Sequence, residues 1–180
     1  MPVPAPVPAP PVPDDKDWTW VLSRECPDCG YDSASVSRTE LPARLADGVN
    51  RIAAAARRQG SQVRPSPRIW SAAEYACHVR DVCRVFGARL SLMLDEDNPL
   101  FENWDQDATA LEARYWEQVP ATVAAALEHD GAEVAAAFAA VAANAWSRPG
   151  RRSDGSTFTV ETLGRYCLHD IVHHVHDVRA

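Results

Sequence analysis

The stretch LHDIVHHVHD, residues 168–177, carries four of the six histidines in this chain, interleaved with two aspartates. Imidazole and carboxylate at that density make a metal-site composition. One small site cannot use His169, Asp170, His173, His174, His176 and Asp177 together. In a helix each residue turns the chain by roughly 100°, and Val160, Gly164, Leu168, Ile171, Val175 and Val178 then define one apolar centre. His174 lies on a shoulder of that stripe, with Asp170 one turn behind it. His169 and His173 project nearly opposite, and His176 also points away. Phase therefore separates an inward pair, Asp170 and His174, from an outward pair, His169 and His173. Side chains four apart, roughly 5–6 Å between Cβ atoms, can share one ion.

The inward pair needs a partner from another helix. His78 is the obvious one, on a face that also carries Tyr75, Val82, Phe86 and Met93. Two nitrogens and one oxygen with an open position is the pattern of a catalytic divalent site; the alternative is that His78 and His174 are hydrogen-bonded core histidines. An open position can stabilise a thiolate for conjugation, ring opening or addition–elimination isomerisation. It can instead activate water for hydrolysis. Asp81 and Asp177 are candidates to orient the ligand imidazoles, although Asp81 also fits a solvated helix face. Arg151 and Arg152 could grip substrate carboxylates bidentately, or be plain turn residues. Trp104 and Asp105 are candidates for the pocket mouth.

Cys77, Cys83 and Cys167 sit in helical patterns and read as small buried hydrophobes. Cys26 and Cys29 lie in CPDCG, a knuckle suited to tetrahedral zinc that supplies only two ligands. The outward His169 and His173 could complete a closed Cys2His2 site that pins the N-terminal segment to the last helix. A redox dithiol and a pair of inert thiols are the other readings.

Four amphipathic helices must position these groups. Helices are expected over about 38–58, 71–94 and 121–142, and from about 159 to 178. Ser71 and Glu74 form a capping-box pair with Trp70 as a staple. The acidic, tryptophan-bearing connection between the second and third helices is long, with a short helix near 108–116, and long connections are often functional. SDG, at 153–155, predicts a tight reversal. With no convincing strand, the expectation is an all-α four-helix bundle. It would span residues 38–180, preceded by a segment at 17–37 and a Pro/Ala-rich disordered tail at 1–16.

At 180 residues one domain is expected. The formal charge of −7 argues against nucleic acid and anionic membranes as partners. No apolar run suits a membrane span and no signal peptide is evident, so a cytoplasmic location is expected.

WSAAEYACHVRDV around His78 and HDIVHHVHDV near the C-terminus resemble the second-helix and last-helix signatures of the DinB-like superfamily. The nearer likeness is to the branch containing mycothiol-dependent maleylpyruvate isomerase. There an acidic residue is followed four positions later by histidine and then by an Asp–Leu pair. Asp170, His174 and Asp177–Val178 keep that spacing, with Asp in place of Glu and Val in place of Leu. Other branches use two histidines four apart, which would select His169 and His173. The resemblance implies a bundle with a long crossover between helices two and three, a divalent ion such as zinc or nickel, and often a homodimer. It also implies a thiol transferase or isomerase acting on a small-molecule substrate with a thiol such as mycothiol. A non-catalytic metal-binding or stress-response protein and a metal-dependent hydrolase are the alternatives.

Overall fold

Helix starts in this chain are written in local chemistry. Ser71 Oγ accepts from Glu74 N, and the Glu74 carboxylate accepts from Ser71 N at 2.9 Å, closing a capping box. Trp70 and Tyr75, the residues flanking that box as N′ and N4, meet edge to face with ring centroids 5.6 Å apart, so the staple forms as expected. Arg64 pairs with the buried Glu74 from the preceding loop and locks the start further. At the other end of the chain, Thr159 and Thr162 make a second capping box.

The computed structural model describes residues 8, 9, 11, 12 and 16–180. Its helices are α1 (Leu41–Ala56), α2 (Ala72–Asp95), α3 (Gln106–Glu112), α4 (Pro120–Ala139) and α5 (Val160–Asp177). Helices α1, α2, α4 and α5 form the four-helix bundle, in which α1 and α2 each pack on both α4 and α5. The long crossover between α2 and α4 holds α3 and a 3₁₀ turn at Tyr115–Glu117. The expected single helix near 108–116 is broken there because Arg114 takes a left-handed conformation, φ 48°. Much of the expected tail at 1–16 lies outside the described residues. Within it, Val12 N donates to Arg68 O at 3.1 Å, against the loop before α2.

Two crossings depend on glycine. A Cβ at Gly131 of α4 would sit 2.5 Å from Val49 Cγ1 of α1, and one at Gly48 of α1 would sit 2.5 Å from Ile171 Cγ2 of α5. Such approaches put the backbones of neighbouring helices close enough to bury their apolar faces in one core.

The strand-free expectation needs correction. Strands β1 (Leu100–Phe101), β2 (Pro149–Arg152) and β3 (Thr157–Thr159) form a small sheet in the order β1-β2-β3. β1 pairs parallel to β2, and β2 antiparallel to β3 with Gly150 opposite Phe158. These strands are too short to show a two-residue period. The expected reversal at 153–155 is the β2–β3 turn, with Gly155 at φ 96°. By its pairing with β2, the sheet ties the crossover to the start of α5.

Candidate metal centre and cleft

The inner faces of α2 and α5 bring His78, Asp170 and His174 together. One ligand atom from each lies within 4.8 Å of the others. His78 Nε2 is 3.3 Å from Asp170 Oδ1, and His174 Nε2 is 3.5 Å from the same oxygen. The His78 and His174 rings meet nearly perpendicular, at 87° and 4.7 Å. His78 is fully buried. Its ring stacks on Trp104 of the crossover (5.5 Å, 7°) and packs against Trp70 (5.4 Å). His174 packs on Tyr75 at 5.0 Å. Aromatic walls on these sides fix the ring orientations.

His174 Nδ1 lies 2.8 Å from Asp177 Oδ2. An ionised carboxylate only accepts, so Nδ1 carries the proton and Nε2 turns its lone pair toward Asp170 and His78. For Asp177, burial pushes the carboxyl up, and the hydrogen bond from His174 with the neighbouring imidazoles more than offsets it. Asp170 behaves alike: burial raises it, and the contact with His78 and the surrounding histidines hold it below the usual carboxylate range. Among the described residues, His78 Nδ1, His78 Nε2 and Asp170 Oδ1 are buried without a hydrogen-bond partner. Buried polar atoms are costly when unpaired, and an imidazole–carboxylate–imidazole set of this kind fits a divalent ion.

The outer face of α5 carries a second convergence. Ligand atoms of Cys26, Cys29, His169 and His173 also lie within 4.8 Å of one another. His169, read from helical phase as pointing away from the core, is only 3% exposed. The N-terminal segment covers it, with the Trp18 ring 5.5 Å and the Tyr31 ring 5.4 Å from its imidazole. Burial brings His169 down to about 4 and also lowers His173, which favours the neutral imidazole in both. Burial pushes the Cys29 thiol up to about 11.

A cleft of about 760 Å³ opens beside the inner cluster. Trp104 and Asp105 line it, Asp105 also capping α3 through Ala108 N at 2.8 Å. Arg152 lines it too, while Arg151 does not. Neighbouring residues on a strand point to opposite faces, so Arg151 is exposed, with its guanidinium donating to Asn98 O at 3.5 Å. Asp81 corrects both readings made from sequence: it neither touches His78 nor lies on a solvated face. It is buried, accepting from Arg80 Nε at 2.9 Å and from Tyr115 Oη at 2.5 Å. Arg89 and Tyr166 in the cleft wall were not singled out from sequence. Arg89 lies about three helical turns beyond His78 on the same face of α2. A charged residue in that phase was the signal available for it. Cys77, Cys83 and Cys167 are buried free thiols, as expected.

The fold and site together define a four-helix bundle with a histidine–carboxylate cluster between its second and last bundle helices. The chain belongs to the DinB superfamily, whose profile matches residues 59–178. Among solved structures it is similar to YfiT from Bacillus subtilis, described as a probable metal-dependent hydrolase with an unusual four-helix bundle topology. The TM-score is 0.68 at 19% identity, covering 79% of this chain and 86% of that one, a likeness of fold. No match was found among curated proteins. No helix among the described residues is long and apolar enough to cross a membrane.

Proposed function

We propose that this chain is a divalent-metal-dependent enzyme that activates a low-molecular-weight thiol, of the mycothiol type, for S-transfer to or isomerisation of a small electrophile. The observation that carries this reading is the convergence of His78, Asp170 and His174, with Asp170 and His174 lining the cleft and His78 buried beside them. Three protein ligands leave coordination free for a reactant, unlike a closed structural set. A cleft of about 760 Å³ lies within the range of roughly 300–1,000 Å³ typical of small-molecule sites.

When bound, a divalent zinc or nickel ion supplies the positive charge that favours a thiolate over a thiol at neutral pH. The protein's own contribution is placement. His78 is held between Trp104 and Trp70, and Asp177 fixes the tautomer of His174. Asp170 supplies anionic oxygen between the two imidazoles. Arg89 and Arg152 place two guanidinium groups in a cleft wall that also carries several aspartates, and either guanidinium could meet a carboxylate on the substrate or on the thiol. Arg152 is itself paired with Asp154 at 2.7 Å, so part of its charge is already matched.

The same placement serves activated water, and the likeness to YfiT favours that as the second reading. Turnover of electrophilic and hydrolysable test substrates by the metal-loaded protein, with and without added thiol, separates the two. Thiol-dependent turnover lost in His78→Ala supports the first reading, and thiol-independent turnover supports the second. Absence of any turnover, with ion bound, would leave a metal-binding protein without catalysis.

A further inference from the structure

The Cys26–Cys29 knuckle and the outer face of α5 form a cluster whose donor atoms are not those of the inner metal centre, although His169 and His173 line the same cleft. We propose that Cys26, Cys29, His169 and His173 form a second metal site, a closed tetrahedral zinc centre that fastens the N-terminal segment to the last helix.

Local geometry prepares the ligands. In CPDCG, Gly30 N donates to Cys26 O at 2.8 Å and Cys26 N donates to Tyr31 O at 2.8 Å. Gly30 stands at φ 72°, in the left-handed region that lets the chain turn tightly after Cys29. The turn brings both sulfurs to one side. Across from them His169 and His173, four apart on α5, present neighbouring imidazoles, with ring centroids 5.4 Å apart. Cys26 Sγ is 3.7 Å from His173 Nδ1. All four donor atoms fall within 4.8 Å of one another, an outer bound about 1 Å wider than the roughly 3.3–3.8 Å edges of a zinc tetrahedron with Zn–S about 2.3 Å and Zn–N about 2.0–2.1 Å.

Two further observations point to an ion. His169 Nε2 is buried without a hydrogen-bond partner among the described residues, and Cys26 is fully buried beside it. Two thiolates with two imidazoles form a soft donor set that selects zinc over harder cations. Four protein ligands leave no position for a reactant, so the centre is structural. Its mechanical effect follows from what the knuckle carries. Tyr31 Oη donates to Arg165 O at 2.7 Å, and Trp18 and Asp28 line the cleft. Fixing the knuckle on α5 thus fixes one wall of the cleft.

Cobalt titration of the metal-free full-length chain tests this. Tetrahedral thiolate ligation should give a near-ultraviolet sulfur-to-cobalt charge-transfer band with intense visible d–d bands. The signal should saturate within two equivalents in the wild type, survive in His78→Ala, and be lost in Cys29→Ser and His173→Ala. Zinc content of purified Cys29→Ser should fall by one ion per chain, while its far-ultraviolet circular dichroism reports whether it folds. Absence of the charge-transfer band in the wild type would overturn the proposal, as would unchanged zinc in a folded Cys29→Ser protein. The wild-type spectrum decides even if the variants do not fold. Because His78 belongs only to the inner cluster, loss of metal there with the thiolate band intact separates failure of one site from failure of the other.

Discussion

His173 and His174 are consecutive residues whose imidazoles face different partners. His173 Nδ1 lies 3.7 Å from Cys26 Sγ, while His174 Nδ1 lies 2.8 Å from Asp177 Oδ2 and its Nε2 turns to Asp170. Their ring planes stand 85° apart at 5.9 Å. One helical step of roughly 100° therefore divides the histidine-rich segment into an outer and an inner cluster.

Asp177 does not belong to the inner cluster itself; it orients His174. Asp177→Asn keeps the size and removes the charge that selects the Nδ1–H tautomer. Metal affinity of the inner site should fall roughly 10–100-fold, read by competition with a chelator. The cobalt–thiolate spectrum should not change.

Gly131→Ala tests the α1–α4 crossing. The new Cβ would meet Val49 Cγ1 at 2.5 Å, Cγ2 at 2.8 Å and Cβ at 3.0 Å, so no single rotamer change relieves it. Overpacking costs about 1–3 kcal/mol, against about 1 kcal/mol gained in helix propensity. A net loss of about 1 kcal/mol is expected as a lower denaturation midpoint in urea.

The β2–β3 turn should confer a modest acid sensitivity. Hydrogen bonding from Arg152, with Ser156 N at 3.0 Å, holds the Asp154 carboxyl at about 2, below its ordinary value near 3.9. A depressed folded-state value means stabilisation that is complete above about pH 4 and lost as pH falls toward 2. The stability gap between wild type and Asp154→Asn should be constant from pH 7 to 5 and shrink below pH 4. A gap that widens on acidification would contradict the assignment.

The bundle was readable where chemistry is local. Ser71, Glu74 and Trp70 mark the start of α2, and the apolar stripe from Val160 to Val175 sets the phase that brings Asp170 and His174 toward His78. What escaped depends on residues distant in sequence. His169 lies outside the bundle's apolar stripe, and its burial comes from Trp18 and Tyr31, far along the chain. Asp81 looks solvated until the crossover lowers Tyr115 onto it. The sheet eluded pattern reading because strands of two to four residues carry no period. Arg89 was overlooked because charge on a helix is ordinarily discounted as surface, yet here it lines a cleft.

The most direct test of the account is the metal content of His78→Ala, His174→Ala and His173→Ala beside the wild type. The inner cluster predicts that His78→Ala and His174→Ala each lose one ion per chain, whatever the cysteine site holds, and that any turnover disappears with it. His173→Ala should leave the inner ion in place. Full metal content in His78→Ala and His174→Ala would contradict it.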